Sequence, residues 1–123
     1  MNRKISVLIA DNSDYFAVPC ANVMKAHGLD VTLTEKDGKA VLDALSDNPP
    51  DVLLMDLFLP RLDALGVLEG MQGMEWSTRP QVMVMSGFDN PALEREVMAA
   101  GADYYFLKPF DAGAMSQRIL TCQ

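Results

Sequence analysis

Asp51–Glu69 reads DVLLMDLFLPRLDALGVLE, and its first six residues set the fold. The apolar run Val52–Met55 is short and uninterrupted, and it stops at a carboxylate, Asp56, with Pro60 close behind. Such runs, bounded by turn signals, read as fully buried strands of a parallel sheet. Three other runs have the same form. Ile5–Ala10 (ISVLIA) ends at Asp11 and Asn12, Val82–Met85 (VMVM) at Ser86, and Tyr104–Leu107 (YYFL) at Lys108, followed by Pro109. In open α/β sheets ligands bind outside the carboxyl ends of the strands. One edge would therefore gather a carboxylate, an acid–amide pair, a hydroxyl and an ammonium. That set suits a hard cation and a phosphoryl group carried on an aspartate.

With these residues in view, the chain resembles a response-regulator receiver domain, the phosphorylatable module of two-component signalling. The resemblance rests on Asp11-Asn12, Asp56, Pro60 and Asp63 in the LPRLDALG loop, Ser86-Gly87, and Lys108-Pro109-Phe110, in the family's order and spacing. It covers essentially the whole chain. Within the family, DVLLMDLFLPRLDALGVLE and GADYYFLKPFD look most like the receiver of sporulation stage-zero A type transcription regulators.

At 123 residues the chain is long enough for one domain, expected over 1–123, and too short for two. Half the residues are hydrophobic, which argues against disorder. No apolar stretch approaches the ~20 residues of a membrane helix. Met1–Asn12 starts basic and turns apolar, but Asp11 interrupts the run early and no small-residue cleavage site follows. It reads as strand one of a cytoplasmic protein. The net charge of −7 argues against nucleic-acid binding by this chain, because phosphate contacts need clustered Lys and Arg. Cys20 and Cys122 fit neither a zinc spacing nor a disulfide framework.

Strands and helices alternate, which predicts a parallel sheet with helices on both faces and right-handed crossovers. Strands are expected near Ile5–Ala10, Asp30–Thr34, Val52–Asp56, Gln81–Ser86 and Asp103–Leu107. This wiring matches the flavodoxin-like order 2-1-3-4-5, a doubly wound α/β fold with five helices and a switch point between strands one and three. Helix two, near Asp37–Leu45, should turn Val41, Ala44 and Leu45 inward. Helix three should follow an Asp63 cap with Leu65, Leu68 and Met71 inward, weakened by Gly66, Gly70 and Gly73. Helix four should begin at Asp89-Asn90-Pro91 and close at Gly101, and helix five should follow Asp111. Helix one is ambiguous: Pro19 lies five residues past Asp14, so the helix starts late or kinks.

The resemblance assigns roles to the edge residues. Asp56 is the expected phosphoacceptor, with Mg²⁺ as cofactor. Asp11, Asn12, Asp56 and the backbone carbonyl of Phe58 are the expected metal ligands. Asn12 departs from the family's second acid, leaving two carboxylates instead of three, so weaker Mg²⁺ binding is expected. Lys108 would pair with Asp56 and then with the phosphoryl group, and Lys108-Pro109 would be a cis peptide. Ser86 would donate its hydroxyl to a phosphoryl oxygen, and Ser86 with Tyr105 would form the switch. Phe58 and Phe88 would flank the phosphoryl group and slow its hydrolysis. Ala64 stands where the family usually has glycine.

These roles imply a signalling switch, not a turnover enzyme. A histidine kinase or phosphotransfer protein would be the donor, an effector or partner would read the helix four–strand five–helix five surface, and a homodimer would form through that same surface. If the stage-zero A resemblance holds, the intact protein continues into a DNA-binding domain. A second reading, prompted by Asn12, is a pseudo-receiver that binds partners without being phosphorylated. A third, an aspartate-nucleophile hydrolase, lacks the second acid such enzymes want two residues on, where Phe58 stands.

Overall fold

The computed structural model describes residues 3–122; Met1, Asn2 and Gln123, the extremities of the expected domain, lie outside the described residues. Five parallel strands, β1 (Ser6–Ala10), β2 (Asp30–Leu33), β3 (Val52–Asp56), β4 (Gln81–Ser86) and β5 (Tyr104–Leu107), alternate with five helices. The helices are α1 (Asp14–Ala26), α2 (Gly38–Asp47), α3 (Ala64–Gln72), α4 (Pro91–Ala99) and α5 (Ala112–Thr121). The strand order is β2-β1-β3-β4-β5, as the alternation predicts.

Successive strand residues point to opposite faces, so each central strand feeds two cores. Leu8, Leu53, Met55, Val82 and Val84 pack under α2, α3 and α4. Val7, Ile9, Leu54, Met83 and Met85 pack under α1 and α5. This two-sided burial explains why β3 and β4 read as unbroken apolar runs: both of their faces are dry. β2 and β5 form the edges, and they are correspondingly less buried.

Capping sets the helix starts. Asp37 accepts from the backbone N–H groups of Lys39 and Ala40, Asp63 from Gly66, Asn90 from Leu93 and Asp111 from Ala114. Pro91 occupies the first turn of α4, and Gly101 follows its end at φ +118. The ambiguity in α1 resolves against a late start: the helix begins at Asp14 and runs through Pro19. The bond that Pro19 cannot make would have gone to the Tyr15 carbonyl. Tyr15 and Pro19 both lie on the exposed side of the helix, where water can take that carbonyl.

The inward face of α3 is Ala64, Val67, Leu68 and Met71; Leu65, expected inside, is only half-buried. Two of its glycines are explained by close approach. A Cβ on Gly66 would fall 2.3 Å from Leu62 Cδ1, and one on Gly70 2.8 Å from Leu42 Cδ1. The loop between β3 and α3 is also held from α2. Gly38 N–H donates to the Pro60 carbonyl at 3.3 Å, and Leu62 N–H to the same oxygen at 2.7 Å. Arg61, in the left-handed region at φ +64, pairs its guanidinium with Asp37.

Candidate functional site

The carboxyl ends of β1, β3, β4 and β5 bring Asp11, Asp56, Ser86 and Lys108 together. Parallel register does this directly: Ala10 lies opposite Met55, Asp56 opposite Met85, and Ser86 opposite Leu107. The last residues of β3 and β4, and the residues that follow β1 and β5, therefore reach the same edge. Asp11, Asp56 and Ser86 are buried, and the Lys108 side chain is only 14% exposed.

Lys108 Nζ sits between the two carboxylates, 3.0 Å from Asp11 Oδ2 and 3.3 Å from Asp56 Oδ2. It also lies 5.2 Å from the centre of the Phe16 ring on α1, a cation–π contact that sequence reasoning did not anticipate. Asp11 Oδ1 accepts the Ser13 N–H at 2.7 Å, which fixes the carboxylate at the mouth of α1. The Asp56 carboxyl is held above its ordinary range, first by burial and further by Asp11, while Lys108 opposes the shift. Burial, with a contribution from Asp11, also pushes the neighbouring Cys20 thiol up to about 11.

Asn12, on the loop after β1, donates from Nδ2 to the Phe58 carbonyl at 3.0 Å, joining that loop to the one after β3. Ser86 Oγ accepts the Phe88 N–H at 3.1 Å, and Tyr105 Oη donates to the Phe88 carbonyl at 3.3 Å. The two expected switch residues are thus tied to one residue's backbone. The Phe58 side chain is about half exposed and Phe88 is 70% exposed, so shielding of a group on Asp56 would fall mainly to Phe58. The Lys108–Pro109 peptide is cis.

The oxygen donors here are two carboxylates and the Phe58 carbonyl, chemistry that fits Mg²⁺. They carry less charge than three acids would, and no group of three or more His, Cys, Asp or Glu side chains able to hold a metal occurs among the described residues. The Asn12–Phe58 bond and the Phe16 ring could not be read from the chain, because both join segments that become neighbours only when the sheet forms.

This fold and edge chemistry match a known class. The family model described as response regulator receiver domain matches residues 7–120, and the chain belongs to that family. It is similar in structure to the signal receiver domain of the protein designated NarL in Mycobacterium tuberculosis, at 23% identity and TM-score 0.88, covering 98% of this chain and 97% of that one. A Francisella response regulator receiver domain is 27% identical, with TM-score 0.83 and coverage of 96% and 95%. The signal receiver domain of a histidine kinase from Syntrophus aciditrophicus is 19% identical, with TM-score 0.80 and coverage of 95% and 90%. Receiver domains are signalling modules of two-component systems, generally bind Mg²⁺ at their acidic pocket, and interact with histidine kinases and effector domains. Among the described residues no helix is long and apolar enough to cross a membrane.

Proposed function

We propose that Asp56 accepts a phosphoryl group from a histidine kinase or phosphotransfer protein, and that the modified domain controls an effector. The observation that carries this is the Lys108 ammonium set between Asp11 and Asp56 on the floor of the switch-point crevice. An Asp56 oxygen attacks phosphorus; the new O–P bond forms as the bond from phosphorus to the donor breaks. Lys108 sits where it can offset charge on the phosphoryl oxygens, a task suited to a compact point charge. Ser86 Oγ is an acceptor towards Phe88, which leaves its proton for a phosphoryl oxygen. Asp11, Asp56 and the Phe58 carbonyl are the groups that would hold Mg²⁺, which when bound supplies charge neutralisation between acceptor and phosphoryl oxygens.

If Ser86 turns towards the phosphoryl group, Phe88 loses one of its two ties, and the other leads to Tyr105. That is a route from a local charge change to the α4–β5–α5 surface. Met98 and Leu107, 40% and 48% exposed, lie on α4 and β5 and offer apolar contact for a partner or a second copy. On the stage-zero A resemblance, the receiver spans 1–123 of a cytoplasmic transcription regulator of sporulation, and its effector is a DNA-binding domain. A pseudo-receiver is the competing reading, favoured by the neutral Asn12 at an acidic position.

Intact mass after incubation with a small-molecule phosphodonor and Mg²⁺ separates the two. A single phosphoryl adduct absent from Asp56→Asn supports the switch. A folded wild type that takes no adduct over a wide Mg²⁺ range favours the pseudo-receiver.

A further inference from the structure

Two side chains bridge the crevice. On the inner side Lys108 joins Asp11 to Asp56. On the outer side the Asn12 amide joins the loop after β1 to the Phe58 carbonyl at 3.0 Å. The orientation of that amide follows from chemistry. A carboxamide has an acceptor end and a donor end, and only the NH₂ end can face a carbonyl oxygen without acceptor–acceptor repulsion. The same carbonyl oxygen is one of the three donors available to a cation at this site. A carbonyl oxygen has two lone pairs, and an amide hydrogen drawing on one of them weakens what that oxygen can give a divalent cation.

From this geometry we infer that Asn12 is not a ligand to the metal but a neutral stand-in for it, clasping Phe58 and competing with the cation for its carbonyl. The inference rests on the acidic-pocket reading above, and it assigns Asn12 the opposite role from a ligand that has merely lost its charge. Three groups of the crevice are met by protein donors: Asp11 by Ser13 N–H and Lys108, Asp56 Oδ2 by Lys108, and the Phe58 carbonyl by Asn12. Protein donors therefore hold the two loops in register, and a cation would gain entry by displacing the clasp. A carboxylate at position 12 reverses this. It cannot donate to Phe58, and it adds charge on the metal side.

The test is calorimetric Mg²⁺ titration of the intact chain and of Asn12→Ala and Asn12→Asp, with the Phe58 carbonyl ¹³C shift read in metal-free samples. Asn12→Ala should bind Mg²⁺ within about twofold of wild type or more tightly, since it removes a competitor and no ligand. Asn12→Asp should bind about tenfold tighter or more, through added ligand charge. The Phe58 carbonyl resonance should move upfield in both variants as it loses its donor. Asn12→Ala binding several-fold more weakly would make the amide oxygen a ligand and overturn the inference. So would an unchanged Phe58 resonance, or Asn12→Asp binding no better than wild type. These readouts require no phosphorylation. A wild type that takes no phosphoryl adduct yet follows this Mg²⁺ pattern sinks the switch reading and leaves the clasp standing.

Discussion

Gly38 is the position at which a single methyl group should do most harm. A Cβ built there would lie 1.8 Å from the Leu62 carbonyl oxygen, 2.7 Å from its carbon and 2.9 Å from Leu62 Cβ, where ordinary contact begins at 3.4 Å. The overlap with the oxygen is therefore about 1.6 Å, and it is with backbone, which has no rotamer by which to escape. Either the N-terminus of α2 or the loop carrying Phe58 and Pro60 must move by more than 1 Å in order of magnitude. The cost should reach the upper end of overpacking, about 3 kcal/mol or more, a large part of the ~5–15 kcal/mol that holds a domain together. Gly66→Ala and Gly70→Ala serve as internal controls. Their nearest atoms are the tips of Leu62 and Leu42, which can rotate, and alanine returns up to about 1 kcal/mol of helix propensity. Both should lie within about 1 kcal/mol of wild type by urea unfolding. On the proposed function, Gly38→Ala should also phosphorylate slowly, because the loop it displaces carries the Phe58 carbonyl. A Gly38→Ala protein as stable as wild type, or less damaged than Gly70→Ala, would refute the steric reasoning.

Three other outcomes follow from the electrostatics. Burial raises the Asp56 carboxyl, so the folded state holds its proton more tightly than the unfolded chain, and ionisation weakens the fold as pH rises from about 3 through that raised pKa. Asp56→Asn, which has no proton to lose, should melt higher than wild type at pH 7, and this gain should vanish near pH 3. An equal difference at both pH values would contradict it. Asp37 is held below the ordinary carboxylate range, first by the Ala40 N–H and then by Arg61, so its contribution is present above about pH 4 and fades as pH falls. Asp37→Ala should lower Tm at pH 7 more than Arg61→Gly does, because alanine at 37 removes both the cap and the Arg61 ion pair, whereas glycine at 61 loses the pair but relieves the left-handed backbone. The reverse order in thermal scans would count against that assignment. Cys20 is buried with its thiol pushed up to about 11, so iodoacetamide on native protein should alkylate the partly exposed Cys122 first, and Cys20 only on unfolding. Peptide mass mapping reads the order; early labelling of Cys20 would sink the prediction.

The sheet was legible because its signal is local. Four apolar runs, each ending in a residue of distinct chemistry, give four of the five strands and the edge at which Asp11, Asp56, Ser86 and Lys108 meet. Cap positions were legible for the same reason, since Asp63, Asn90, Pro91 and Asp111 act within one turn of themselves. The path of α1 through Pro19 was not, because it depends on which side of the helix faces water. The inward phase of α3 slipped from Val67 to Leu65 because Gly66 and Gly70 blur the apolar stripe. What they pack against, Leu62 and Leu42, comes from the preceding loop and helix. The left-handed backbone at Arg61 could not be read at all: its partner Asp37 is 24 residues away.

The Lys108 ion pairs have a consequence for how the protein is made. They span 97 residues to Asp11 and 52 to Asp56. During synthesis Asp56, the proposed acceptor, is joined to the chain 52 residues before its ammonium partner. Domains generally fold as units as they emerge, so Asp56 should be chemically silent until β5 docks. On the proposed function, acceptance of a phosphoryl group then reports that synthesis has passed β5: a stalled nascent chain ending before Lys108 should take no label from a donor that labels the released protein.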